Sequence, residues 1–342
     1  MTHELLHIFD FYSTCKLAGT KSVLVTVVDL VGSSYRKPGV RMLIMENGES
    51  VGAISGGCVE KDVKRQAQMV LETNQPIMMA YDGRFKLGCE GTIGILIEPF
   101  APSADLLERF NSGIKDRESF KLTSPFSKNM GVFEGPGTSI TFTESESFLL
   151  NGKESVPNLS WAGPTFTEHL PPCFKLVIIG TEHDAVQLCV LASLTGWEVT
   201  VVCSPNNPKS PSDFPGATHV VEQSAEQLEE LQFDSQTAVV LMSHSYAKDL
   251  KHLIALQSSA PLYLGILGAK KRFEKLLSDF MDFCPELESE FLDRIHGPTG
   301  LDIGGITPQE IAISIIAEIL SIHRSKQEED QLVSAEGVRF NS

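Results

Sequence analysis

FKLVIIGTEHDAVQLCVLASLTGWEVTVVCS, residues 174–204, decides the fold. FKLVIIG is a short β-branched run of the kind that fills a strand buried on both faces. DAVQLCVLASLTG then changes to helical spacing and stops at Gly196, and WEVTVVCS is a second buried strand. Further along, TAVVLMSH and PLYLGILG repeat the strand pattern with helical segments between them. Strands alternating with helices predict a parallel, doubly wound sheet. Thr307-Pro308-Gln309-Glu310 opens a last helix through IAISIIAEILSIHR: threonine caps, proline takes the first helical position and glutamate completes a capping box.

The turn after the first of these strands reads Gly180-Thr181-Glu182-His183-Asp184-Ala185. Its spacing is that of G-x-G-x-x-A, the Rossmann turn in which glycines let a pyrophosphate approach a helix N-terminus. Glu182 occupies the second glycine position, and the next strand ends in Cys203-Ser204 where an NAD site carries an acid for the ribose. The reading is therefore a Rossmann-like domain, with Gly180 in the turn and NAD(P) disfavoured as its ligand. His244 ends the third strand at the carboxyl edge, where ligands of such sheets gather; a satisfied structural histidine is the alternative. Lys270, Lys271 and Arg272 follow the fourth strand, either as an anion site or as a solvated first helical turn.

Upstream, residues 4–18 read as a helix, SVLVTVVDLVG as a buried strand, and VRMLIME–Asn47-Gly48–SVGAIS as a hairpin. Val59 to Thr73 is helical, and IMMAYD and TIGILIEPF are strands, giving a mixed α/β domain over 1–118. Residues 119–171, rich in Ser, Thr, Gly, Pro and Glu, read as a β hairpin and linker, or as a β extension of the first domain. The second domain is then 172–325, and 326–342 a polar, disordered tail.

Composition narrows the function. Of 342 residues, 44 are acidic against 28 Lys plus Arg, a formal charge of −16 that repels phosphate backbones, so nucleic acid is not an expected partner. No run is apolar and long enough to span a bilayer, and the start lacks the pattern of an export signal, so the expected location is cytoplasmic. Seven singly scattered cysteines fit a reducing compartment.

In this acidic chain the segment GSSYRKPGVR (32–41) stands out. Ser33, Ser34, Arg36, Lys37 and Arg41 form a candidate pocket for a phosphate-bearing ligand, or else a decorated exposed loop. Gly56-Gly57-Cys58 precedes the helix from Val59, and a thiol at a helix N-terminus is biased toward the metal-binding thiolate. Cys89 lies in a second glycine-flanked turn. Cys58 and Cys89 make a candidate soft-ligand site, inert buried cysteines being the alternative; neither has the C-x-x-C spacing of zinc sites.

Taken together, GSSYRKPGVRMLI, GAISGGCVE and the LGCEG turn resemble the N-terminal domain of the XdhC/CoxI family. VIIGTEHDA, LMSHSYAKDL, YLGILGAKKR and RIHGPTGLDIGGITPQEIAISIIAEI resemble its C-terminal domain. Glu90 and Glu182 depart from the family pattern, standing where glycine is usual. The resemblance implies an accessory chaperone, without turnover of its own, that binds the molybdenum cofactor (molybdopterin), supports its sulfuration and inserts it into a xanthine dehydrogenase-type apo molybdenum hydroxylase. It implies a cysteine desulfurase as sulfur donor, Arg36, Lys37 and Arg41 at the pterin phosphate, and Cys58 and Cys89 at molybdenum. A homodimer is expected. The competing readings are an NAD(P)-dependent oxidoreductase and a non-binding docking scaffold for a molybdoenzyme.

Overall fold

The computed structural model of the chain describes residues 2–15, 20–55, 57–82, 91–153 and 161–339. It divides into two compact units, Met1–Pro172 and Cys173–Ser342.

The first unit runs α1 (Thr2–Cys15), β1 (Ser22–Val31), β2 (Arg41–Met45), β3 (Ser50–Gly52), α2 (Gly57–Thr73), β4 (Ile77–Asp82), β5 (Thr92–Pro99), α3 (Ala104–Lys115), β6 (Phe120–Pro125), β7 (Gly131–Val132), β8 (Ser139–Thr143), β9 (Glu146–Leu149) and β10 (Thr165–Leu170). Its main sheet has the order β3-β2-β1-β5-β4-β7, every pair antiparallel. β1 and β5 lie inside it, which is why their sequences are apolar on both faces. Val23, Val25, Val27, Ile95 and Ile97 pack against Val59, Val63, Ala67 and Val70 of α2, spaced to fall along one helix face. Leu24 and Leu43, on the opposite face, join α1, α3 and a second sheet.

That second sheet, β10-β6-β8-β9, occupies much of the segment expected as a hairpin and linker. Phe120, Leu122, Ile140, Leu150 and Leu170 bury themselves in the core shared with Phe9 and Phe110. The β8-β9 pair is the expected hairpin, and β6 and β10 make it the β extension given as the alternative; those two strands supply only one or two apolar side chains to the core and leave their other face polar.

The second unit runs β11 (Lys175–Ile179), α4 (His183–Leu194), β12 (Glu198–Cys203), β13 (His219–Glu222), β14 (Thr237–Leu241), α5 (Tyr246–Ala255), β15 (Tyr263–Ile266), α6 (Lys270–Phe283), α7 (Ser289–Asp293), β16 (Ile295–His296) and α8 (Pro308–Arg339). All six strands are parallel in the order β13-β12-β11-β14-β15-β16, the doubly wound arrangement whose direction reverses between β11 and β14. α4 and α8 share one core face of this sheet, with Leu188, Ala192, Ile315 and Ile319 inside it. α5 and α6 contribute Leu253, Leu276 and Phe280 to the other.

α8 starts at the expected capping box: Glu310 N–H donates to Thr307 Oγ1 at 3.3 Å, and Thr307 N–H to Glu310 Oε2 at 2.9 Å. The helix runs on through Arg339, where a disordered tail was expected. Residues 326–336 hold Lys, Gln, Glu, Leu and Ala with no proline, and adding residues to a nucleated helix costs far less than starting one. Among the described residues no helix is long and apolar enough to cross a membrane.

Candidate functional site

Antiparallel pairing brings the singled-out N-terminal segments to one end of the main sheet. β1 ends at Val31 beside Thr92, where β5 begins, and β4 ends beside the same residue at Asp82. β2 begins at that end with Arg41 opposite Thr26, and β3 finishes there with Gly52 opposite Met42. Three connections therefore leave from a single edge: 32–40, 53–56 into α2, and 83–90. They carry Ser33, Ser34, Arg36 and Lys37; Gly56, Gly57 and Cys58; and Cys89, respectively.

Two contacts tighten this convergence. A Cβ on Gly91 would stand 2.4 Å from the Ser33 carbonyl oxygen, so the chain leaving 83–90 lies flush against the 32–40 loop and only glycine fits there. Val59 is buried in the core that includes Val27 and Ile93, with Leu30 and Val40 packed against it, which sets the start of α2 at the same edge. Cys58 is the second residue of that helix. Gly56 and Cys89 lie outside the described residues.

The loop presents its charges unevenly. Ser33 and Lys37 are exposed, and Arg36 N–H donates to Ser34 Oγ at 3.3 Å. Tyr35 is 86 % exposed with the Arg36 guanidinium 5.4 Å from its ring centroid, a cation–π distance. Arg41 turns the other way. Its side chain is 3 % exposed, and Nη1 donates to Glu168 at 2.7 Å and to the Gly39 carbonyl at 3.0 Å. Its Nε and Nη2 are buried with no hydrogen-bond partner among the described residues. Arg41 thus anchors the base of the loop, while Arg36 and Lys37 stand on its outer side.

Beneath lies Glu98, buried and accepting the Thr138 N–H at 2.8 Å and the Thr138 hydroxyl. Burial pushes its carboxyl above the usual range, against the opposing pull of those bonds and of Arg41. Sequence reasoning missed Glu98 and Glu168; the one available signal was an acid closing the apolar run TIGILIEP.

In the second unit Gly180 adopts φ +144° at the end of β11, and a Cβ there would meet the Met242 carbonyl oxygen at 2.3 Å. Glu182 is the exposed N-cap of α4 but makes no side-chain cap bond. His244, at φ +55°, sits opposite, with Nε2 3.2 Å from Asp184 Oδ2. Cys203 is buried, its thiol 3.4 Å from the Val221 carbonyl and packed against β13. Of the expected cation cluster, Lys270 and Lys271 are exposed. Arg272 instead donates to buried Asp249 at 2.7 Å and to the Leu267 carbonyl at 3.1 Å. Ser243 hydroxyl holds the other Asp249 oxygen at 2.5 Å. Among the described residues no cluster of three or more His, Cys, Asp or Glu is placed to hold a metal ion.

The fold and edge together define a class: a Rossmann-type unit joined to an α/β unit whose described loop edge carries hydroxyls and cations. The sequence profile of the XdhC Rossmann domain matches residues 176–319, and that of the XdhC and CoxI family matches 15–82. A Bacillus subtilis (strain 168) protein, named as a probable subunit of xanthine dehydrogenase, is 30% identical over 325 residues, covering 89% of this chain and 94% of its own. The "Molybdenum cofactor insertion chaperone PaoD" of Escherichia coli (strain K12) is 24% identical over 335 residues, covering 96% and 92%. A crystal structure described as a xanthine dehydrogenase from Bacillus halodurans is 28% identical with a TM-score of 0.77, covering 95% of this chain and 96% of that one. The chain belongs to the XdhC and CoxI family.

Proposed function

We propose that the loop edge of residues 1–172 holds the molybdenum cofactor, and that the chain supports its sulfuration and inserts it into an apo molybdenum hydroxylase of xanthine dehydrogenase type. One observation carries the reading: the sheet delivers the Ser33–Lys37 loop, the start of α2 at Cys58 and the exit of the Cys89 segment to one edge. The donor set suits this group. A pterin phosphate asks for hydroxyls, backbone amides and cations, which Ser33, Ser34, Arg36 and Lys37 supply. Molybdenum bound to sulfur asks for soft donors, which Cys58 and Cys89 supply as thiolates. When bound, the group brings the redox-active molybdenum that the hydroxylase needs; the chain's own part is to hold, shield and release it. A relative named as a molybdenum cofactor insertion chaperone supports the assignment, and a cysteine desulfurase is the partner that sulfuration requires.

The oxidoreductase alternative needs a dinucleotide pyrophosphate over the start of α4. There the chain places the exposed carboxylate of Glu182, with Asp184 in the first turn, where phosphate calls for positive potential.

The test is cofactor retention. Wild type and Cys58→Ala are purified from a cofactor-replete host, and molybdenum and pterin are assayed per chain. The expectation is cofactor on the wild type and a loss of about tenfold or more on Cys58→Ala, since even the outer-shell partners of metal ligands act on that scale. Wild type devoid of cofactor under verified supply would overturn the reading.

A further inference from the structure

Residues 297–307 link β16 to α8 at the carboxyl edge of the second unit's sheet, and nothing in the proposed cofactor site uses them. Their polar groups hold the loop firmly. Thr299 N–H donates to Ile266 O at 3.0 Å, Gly300 N–H to Glu318 Oε2 at 2.8 Å and Leu301 N–H to Ser314 O at 3.3 Å. Ile303 N–H reaches Leu301 O at 2.9 Å, and Ile306 N–H reaches Glu310 Oε2 at 2.8 Å. Tyr263, Thr299 and Glu318 join beneath through hydroxyl contacts of 2.5 Å.

What this scaffold displays is aliphatic. Leu301 is 44 % exposed, Ile303 55 %, Ile306 86 %, and Ile313 of the adjoining helix 52 %. The Leu301–Ser314 bond sets the loop against the turn of α8 that carries Ile313, and the Ile306–Glu310 bond sets Ile306 at that helix's first turn. Ile306 is the telling member. At a capped helix start, the residue before the cap can fold onto the fourth helical residue, here Ile311, as a hydrophobic staple. Ile306 stays in solvent instead, although the capping box itself is made. Exposed aliphatic side chains gathered on one loop mark an interaction surface, and the hydrogen bonds that fix this loop's backbone leave less to be ordered on binding.

The flank toward α4 is acidic and says what fits there, while exposed Lys270 and Lys271 start α6, whose Phe273 lies against Gly297. Asp302 lies within the loop and Glu310 directly beneath it. Gln309 is hydrogen-bonded to Gln187 of α4 at 3.2 Å, which brings the start of that helix, with Glu182 and Asp184, to the same flank. A second copy would bring this acidic border against itself in a chain of net charge −16. Like charges at an interface select against a partner, and opposite ones select for it.

We propose that Leu301, Ile303, Ile306 and Ile313 dock a partner protein through an apolar depression bordered by lysines and arginines. Resting on the cofactor reading above, that partner is the apo molybdenum hydroxylase. The acidic border steers the encounter and the aliphatic patch holds the complex.

The test uses full-length chain and purified apo-hydroxylase, with binding followed by biolayer interferometry. Ile306→Asp and Ile303→Asp are compared with Leu194→Asp, a control in which an aliphatic residue 78 % exposed elsewhere is replaced. The expected result is a Kd raised about tenfold or more by each patch variant and unchanged by the control. Wild-type affinity should also weaken severalfold between roughly 0.05 and 0.5 M salt as the charged border is screened. These side chains face solvent, so thermal midpoints should stay with the wild type. Equal affinity in all variants overturns the proposal. So does a wild type that ignores the hydroxylase but sediments as a dimer that Ile306→Asp dissociates, since a second copy would then cover the patch. Cofactor retention, measured on the same samples, separates the two readings: docking lost with the patch while the wild type retains no cofactor would sink the chaperone reading and leave the surface standing.

Discussion

Arg41 and Arg36 lie in the same short segment but belong to different kinds of chemistry. The Arg41 guanidinium is buried 2.7 Å from Glu168, and removing one side of such a pair costs about 3–5 kcal/mol because the opposing charge stays in a poorly solvated place. Arg41→Met is therefore expected to lower the unfolding free energy by about 3 kcal/mol in urea titrations, with cofactor per folded chain little changed. Arg36→Ala should do the reverse: stability within roughly 0.5 kcal/mol of wild type, retention reduced. Arg41→Met folding as stably as wild type but emptied of cofactor would return Arg41 to the ligand site. The distinction was not legible in GSSYRKPGVR, because Glu168 lies 127 residues away and only the second sheet brings it back. What could be read there was composition, three cations in an acidic chain, without which of them faced outward.

At the scale of elements, local signals were reliable where each residue's role was set by its neighbours. The Asn47-Gly48 turn joins β2 to β3 with Gly48 at φ +88°, and the box at Thr307 and Glu310 is bonded in both directions. The strand–helix alternation after Cys173 foretold the parallel sheet, but β13 and β16, four and two residues long, are too short to show a period. In 119–171 the β8-β9 hairpin was legible, and the alternative of a β extension is the one the structure shows; what escaped was β6 and β10, whose apolar residues are spread thinly over separated strands. Gly180 was read as a glycine that permits the tight turn of a Rossmann loop, and the geometry shows what that turn asks of it. It lets β11 end against the Met242 carbonyl at the point where strand order reverses, a conformation and a space that no side chain suits. Gly180→Ala should accordingly cost about 2–3 kcal/mol, seen as a lower midpoint of thermal unfolding. If the variant melted with the wild type, the close approach at that crossing would be relieved more easily than these distances allow.

At the scale of the whole molecule, the two units bury separate cores. The first stacks Phe9 on Phe110 at 4.1 Å and closes α1, α3 and two sheets around them. The second closes its parallel sheet between α4 with α8 and α5 with α6. Among the described residues no strand of either sheet set is borrowed from the other unit. Chain segments with complete cores fold as domains, so 1–172 and 173–342 produced separately should each unfold in one cooperative transition. The proposals then divide between them. Molybdenum and pterin should stay with 1–172, which carries Ser33, Arg36, Lys37, Cys58 and Cys89. Affinity for the apo-hydroxylase should stay with 173–342, which carries Leu301, Ile303, Ile306 and Ile313. Retention by neither fragment while the intact chain keeps its cofactor would mean that the loop edge is insufficient and that the second unit contributes to the holding itself. Retention by 1–172 alone would instead leave the second unit as the part that finds the client, consistent with a Rossmann turn whose phosphate position is filled by Glu182.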